Sequence, residues 1–283
     1  MRNCFIIQLF ILQGGGIIGM KRKAWAAIGV IVVISLIASS FAGCIGGRET
    51  SVDIIKKRGI LIVGTSGGFP PFEVINETTQ QLEGLDIDLA YRIGQELGVT
   101  VEIRNMDFTA LIGAVKTGMI DMAIAGMTIT EERNKSVAFS KPYFRADQAI
   151  VVKADRTDIN SPADLAGKKI AVNQGTTGDF WVDENLVATG LVAAQDVHKF
   201  GFASDALLEL VADRVDALVI DSPVAETYVA KTSGLKVVYT IVTNEYYGIC
   251  MKKDAVELIE FVNELIEKME DSGEMQALID KWF

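Results

Sequence analysis

Histidine is nearly absent from this sequence: among 283 residues there is one, His198. Cysteine occurs three times, as Cys4, Cys44 and Cys250, and proline five times. A single histidine and scattered thiols supply neither a zinc-ligand cluster nor a Cys/His nucleophile pair, and they build no disulfide framework. No metal or cofactor is expected. Cys250, alone in the apolar run YYGICMKK, reads as a small buried residue. A basic surplus is missing as well. The formal net charge is −10, and Arg2, Lys21, Arg22 and Lys23 face no acidic residue within the first 43 positions. The rest of the chain carries 23 basic against 37 acidic residues, or −14. Such an acidic body lacks the positive face that nucleic acid requires. Nucleotide loops are absent too. GTSGGFPPFE (64–73) lacks the GxGxxG order and runs into prolines, and NQGTTGD (173–179) lacks the P-loop lysine.

The N-terminus has the parts of an export signal. Lys21, Arg22 and Lys23 form a charged start, Ala24 to Ile37 an apolar stretch, and small residues lead to Cys44. FAGC resembles the lipobox of lipoprotein precursors, with Phe41 where Leu is more usual. That resemblance implies a signal peptide over 20–43 and lipid attachment at Cys44. The alternative is a permanent anchor, since the apolar stretch approaches bilayer-spanning length. Either one tethers the remainder to the outer face of the membrane. Met20 directly precedes the basic triplet, so translation is expected to start there, with 1–19 an upstream over-extension.

From Gly59 onward short apolar runs alternate with helical patterns, the signature of an α/β fold with largely parallel strands. GILIVGT, VTVEIRNM, IDMAIAG, QAIVVK, KKIAVNQG, DALVIDSP, KVVYTI and YGICMKK read as strands or strand ends. LDIDLAYRIGQELG, ALIGAVKTG, TTGDFWVDENLVATG, FASDALLELVADRV and AVELIEFVNELIEKMEDSG read as helices. One internal echo stands out. ALIGAVKTGMIDMAIAG and DALLELVADRVDALVID share a helix, a turn, an aspartate and an apolar strand, so Asp121 corresponds to Asp216 and Gly126 to Asp221. The echo suggests two similarly wound lobes delivering strand ends to one location, where open α/β sheets bind ligands.

Several polar residues fall at or just after carboxyl ends of these strands. Thr128 and Arg133 follow IDMAIAG, Thr177 follows KKIAVNQ at a helix start, and Asp221 ends DALVID. A guanidinium offers two parallel donors to a carboxylate, an aspartate can hold an ammonium, and a helix start favours an anion. Together they fit a free α-amino acid, and none is a credible activated nucleophile. Phe69 in GFPPFE and Phe108 in MDFTALI are aromatics at loop and helix starts, able to wall a pocket or to pack in the core.

The order FPPFE, GLDIDL, MDFTALIGAVKTGMIDMAIAGMTITEER, FSKPY, VNQGTTGD, ALVIDSP, YYGICMKK and KWF resembles the amino-acid-binding proteins of ABC importers. The resemblance runs from about residue 52 to Phe283. It implies a type II periplasmic-binding-protein fold of two closing lobes, 51–143 plus 247–283 and 148–242, hinged at 143–147 and 243–247. It further implies a monomer that delivers its ligand to membrane permease subunits. By position, Phe69 and Phe108 would sandwich the ligand side chain. Ala125, Gly126, Thr128 and Asp221 would hold its ammonium, and Arg133 with the Thr128 and Thr177 amides its carboxylate. Ser66 stands where members that bind arginine, lysine, histidine or glutamine often carry an aspartate, and Asn173 is neutral too. An uncharged polar ligand such as glutamine is therefore expected first, and a basic one second, with Glu73 or Asp179 as substitutes for the missing charge. Exported cyclohexadienyl dehydratases resemble the same proteins, and here Glu73 is the one candidate for their acid–base residue.

Overall fold

In the computed structural model, which describes residues 49–283, helix α1 (Ser51–Arg58) starts from a capping box between Thr50 and Asp53. The expectations for Met20, the export signal and Cys44 lie outside the described residues. Strand β1 (Ile60–Thr65) leads through a loop into the hairpin of β2 (Val74–Ile75) and β3 (Leu82–Glu83). Helix α2 (Leu85–Leu97) ends on left-handed Gly98, and β4 (Thr100–Asn105) returns beside β1. Next come α3 (Phe108–Thr117), β5 (Met122–Ala123), α4 (Glu131–Ser136) and β6 (Ala138–Phe139). Strand β7 (Phe144–Lys153) starts a second array of β8 (Ile170–Asn173), α5 (Thr177–Val182), β9 (Val197–Phe200), α6 (Ala203–Val211), β10 (Ala217–Asp221), α7 (Ser222–Lys231) and β11 (Leu235–Tyr247). The chain closes with β12 (Cys250–Met251), α8 (Val256–Ser272) and α9 (Glu274–Trp282).

Two five-stranded sheets result, ordered β4-β1-β5-β12-β6 and β11-β7-β10-β8-β9. Strands β4, β1 and β5 are parallel, as are β10, β8 and β9, while β12, β6, β7 and β11 pair antiparallel. The chain passes between the sheets twice. Those crossings lie side by side, with Phe144 opposite Tyr247, Arg145 opposite Tyr246 and Ala146 opposite Glu245.

Apolar alternation explains the core. Leu61, Val63, Leu89, Ile93 and Met122 are buried around the first sheet, and Val152, Ile170, Val172, Leu186 and Val219 around the second. Each such side chain contributes about 1.5–3 kcal/mol when buried. Cys250 is buried against the first sheet, where burial pushes its thiol up to about 12.

The echo between the halves has a physical counterpart. Asp121 accepts from the Ile62 amide at 2.8 Å and from Arg58, whereas Asp216 accepts from the Lys169 amide at 2.7 Å and from Arg156 at 2.6 Å. Each aspartate therefore pins a strand to its parallel neighbour and pairs with an arginine. Two elements differ from expectation. IDMAIAG forms only a two-residue strand, Met122–Ala123, and the backbone enters the left-handed region at Gly126. KVVYTI is part of a strand that continues to Tyr247.

Candidate functional site

Strand ends from both sheets meet at one small cavity of about 10 Å³. From the first sheet come Ser66 and Phe69 after β1, Phe108 at the start of α3, and Ala125, Gly126 and Thr128 after β5. Arg133 enters from α4, whose N-cap Thr130 accepts from the Arg133 amide and so fixes where its side chain departs. From the second sheet come Asn173 after β8, Thr177 at the start of α5 and Asp221 at the end of β10. All ten residues singled out from the sequence as ligand contacts thus line one cavity. Glu73 and Thr176 line it too.

Arg133 is 7% exposed, and its Nη1 donates to the Thr128 carbonyl at 2.6 Å. Its Nη2 donates to the Gly175 carbonyl at 3.0 Å, in the other half of the molecule. The guanidinium lies 5.2 Å over the Phe108 ring, a cation–π contact that also orients it. Asp221 accepts from Gln148 Nε2 at 3.0 Å and from the Tyr247 hydroxyl. Burial first, and the Glu245 carboxylate next, push Asp221 up to about 7, against the lowering effect of Tyr247, Gln148 and Arg133. A buried acid so placed favours any cation that reaches it.

At a different part of the lining, Glu73 is fully buried beside Asp86, and its carboxyl reaches no cation among the described residues. Burial foremost, then the neighbouring Asp86 carboxylate, hold Glu73 well above the usual carboxylate range. Asp86 itself accepts from the Gly126 amide at 2.7 Å and from the Tyr143 hydroxyl at 2.9 Å. It thereby holds the cavity floor in place. The Asn173 amide nitrogen donates to the Phe200 and Gly201 carbonyls at 2.9 and 3.1 Å, which leaves its oxygen as an acceptor. Asp179 is not in the lining: it accepts from the Gly175 amide at 2.9 Å and pairs with Lys199 at 2.8 Å. A helix-start structural role uses its charge.

Close packing fixes this geometry. Gly126 sits at φ +53°, and a Cβ there would meet the Phe69 ring at 2.6 Å. Across the opening, the Tyr228 hydroxyl donates to the Gly68 carbonyl, and the Phe108 amide to the Gly201 carbonyl at 3.4 Å. The two halves are therefore in contact around the cavity.

Sequence reasoning missed Gln148, Glu245 and Tyr247. Glu245 accepts from Thr128 at 2.8 Å, from Thr177, and from Gln148 at 3.2 Å. The available signals were a glutamine opening the apolar run QAIVV and a glutamate beside the aromatic pair in NEYYG.

The sequence matches the model of the bacterial extracellular solute-binding proteins, family 3, over residues 61–283. The arginine-binding extracellular protein ArtP of Bacillus subtilis is 33% identical over 264 residues, covering 92% of this chain and 98% of its own. An ancestral arginine-binding protein, solved bound to arginine and bound to glutamine, is 45–46% identical. Both structures have a TM-score of 0.75 and cover 80% of this chain and 98–99% of their own. An ancestral amino acid-binding protein described as a precursor of cyclohexadienyl dehydratase is 38% identical, with a TM-score of 0.76 over 83% of this chain and all of its own. The two-sheet architecture is that of type II periplasmic binding proteins. With its fold, its cavity between strand ends and its sequence in agreement, this chain belongs to the bacterial extracellular solute-binding proteins of family 3.

Proposed function

We propose that the protein captures one free L-α-amino acid between its two halves, without turning it over, and presents it to the membrane subunits of an ABC importer. Arginine is the preferred ligand in this reading, and glutamine the second. The observation that carries it is the distribution of charge around one cavity: Arg133 on the first half, Asp221 on the second, and the buried carboxyl of Glu73, which has no cationic partner among the described residues. Arg133 would take the α-carboxylate and Asp221 the ammonium. Because the two residues belong to different halves, a zwitterion held by both favours the closed arrangement over any open one. The crossings at 143–147 and 243–247 would act as the hinge between lobes 51–143 plus 247–283 and 148–242.

The order of ligands reverses the one expected from Ser66 and Asn173 alone. The sequence offers Glu73 as a possible source of charge, and its burial within the cavity lining supports that role. A buried carboxylate without a counter-charge is costly unless it is neutralised or paired. A guanidinium would pair it with two donors, whereas a glutamine amide would leave it without a counter-charge. The names of ArtP and of the ancestral protein support the same class. Phe69 and Phe108 would flank the intervening methylenes.

The acidic charge that a dehydratase would need for acid–base work is assigned here to side-chain recognition. The family and the amino acid-binding neighbours favour transport over turnover. Export and attachment to the outer membrane face through Cys44 complete the reading, with the protein acting as a monomer. Calorimetric titration with the common L-amino acids tests it: arginine should bind with one-to-one stoichiometry, and prephenate should be recovered unchanged. Binding of no amino acid, or turnover of prephenate, would overturn it.

A further inference from the structure

Glu245 has no role in holding a zwitterion between Arg133 and Asp221, yet it sits among the groups assigned to that task. It is 8% exposed and arises from β11, at the crossing between the halves. One of its oxygens accepts from Thr128 of the first half at 2.8 Å and from Thr177 of the second. The other accepts from Gln148 Nε2 at 3.2 Å, and that same nitrogen donates to Asp221 at 3.0 Å. Gln148 is itself wedged, since a Cβ on Gly178 would lie 2.7 Å from its Oε1. Three donors on three segments therefore converge on one carboxylate, and separating the halves must break at least one of these bonds.

We infer that Glu245 is a positioning residue of the amino-acid site, orienting Thr128, Thr177 and, through Gln148, Asp221, so that the polar end of the cleft assembles as the halves meet. The effect on Asp221 is electrostatic as well as geometric. The groups facing Asp221 are Glu245 and Tyr247 from β11, Gln148 from β7, Arg133 from α4 and Glu73 from the loop after β1. Glu245 is the negative neighbour that most raises its proton affinity after burial. Replacing that charge by a neutral amide lets Asp221 ionise at lower pH. A residue that merely stabilised the fold would not move that titration.

The affinity arm of the test rests on the amino-acid reading, and the scattering arm does not. Wild type, E245A and E245Q are refolded from denaturant and titrated with L-arginine from about pH 5 to about pH 9. At alkaline pH, E245A should bind about tenfold or more weakly, the loss expected for charge-assisted hydrogen bonds. E245Q should recover part of that loss, because threonine hydroxyls accept as well as donate. Its affinity should also begin to fall at a lower pH than that of wild type. Without added amino acid, E245A should scatter X-rays as a more extended particle than wild type. Folded E245A with affinity within about twofold of wild type, or E245Q with an unshifted acid limb, overturns the proposal. If E245A does not fold, the acid limb of E245Q decides alone. If wild type binds no amino acid, the scattering comparison decides: a more extended E245A sustains the positioning role while the ligand reading fails, and identical profiles overturn both.

Discussion

Arg133 donates to the Gly175 carbonyl at 3.0 Å, joining a helix of the first half to the turn before a helix of the second. With Nη1 on the Thr128 carbonyl at 2.6 Å, one guanidinium is held from both sides before any ligand is considered. Preorganisation of this kind reduces what binding must spend on ordering the site.

Removing either charge that grips the zwitterion should be severe. Arg133→Ala and Asp221→Ala should each lose ~3–5 kcal/mol of binding, or roughly 10²–10⁴-fold in Kd. Arg133→Lys should remain impaired, because an ammonium cannot supply the planar pair of donors. Calorimetry on folded variants checks this, and near wild-type titration by either alanine variant would remove these residues from the site.

Glu73→Gln should change preference more than overall binding. Losing a charge-assisted contact of ~1.5–3 kcal/mol should weaken arginine about 10- to 100-fold. Glutamine, with no cation to lose, should bind within a few-fold of its wild-type affinity. The arginine-to-glutamine ratio of Kd values is the readout, and an unchanged ratio would assign Glu73 to the scaffold.

Gly126→Ala places a methyl 2.6 Å from the Phe69 ring, at a backbone φ of +53°. Both effects destabilise, by about 1–3 kcal/mol for overpacking and about 1 kcal/mol or more for the left-handed conformation. Thermal melting should fall by several degrees, and affinity should fall too as Phe69 is pushed into the cavity. A variant with unaltered melting and binding would show that the floor is not tightly packed against that ring.

Binding and stability should respond to pH in opposite directions. Asp221 lies near 7 because of burial and then Glu245. An ammonium needs the ionised carboxylate, so affinity should be full above about pH 7 and fall by up to about tenfold per unit below it. The unbound protein behaves conversely. Asp221 near 7 and Asp86 near 6 hold protons that the unfolded chain releases near pH 4, so folding stability contributed by both declines as pH rises from about 4 to 7. Titration and melting across that range check both signs.

Much of this was legible in the sequence for particular reasons. The paired halves were readable because Asp121 and Asp216 each start a strand after a helix, and the structure gives them matching strand-pinning bonds. Thr128, Arg133, Thr177 and Asp221 were readable because strand ends converge in such folds, and the other six lining residues through the resemblance to amino-acid-binding proteins. Glu245 and Gln148 were not. Their strands alternate like any others, and only the side-by-side crossing of β7 and β11 brings the two together behind Thr128, Thr177 and Asp221. Glu73 was visible as a charge, but its burial in the FPPFE loop and its proximity to Asp86 are tertiary features, which local pattern does not encode. The hairpin of β2 and β3 has strands of two residues, too short for an alternation to register.

The most direct measurement is a calorimetric comparison of L-arginine, L-glutamine and agmatine, the decarboxylated form of arginine, on refolded protein. Capture through Arg133, Asp221 and Glu73 requires one-to-one binding of L-arginine, weaker binding of L-glutamine and almost none of agmatine, which leaves Arg133 without its carboxylate. Agmatine binding as tightly as L-arginine would contradict it.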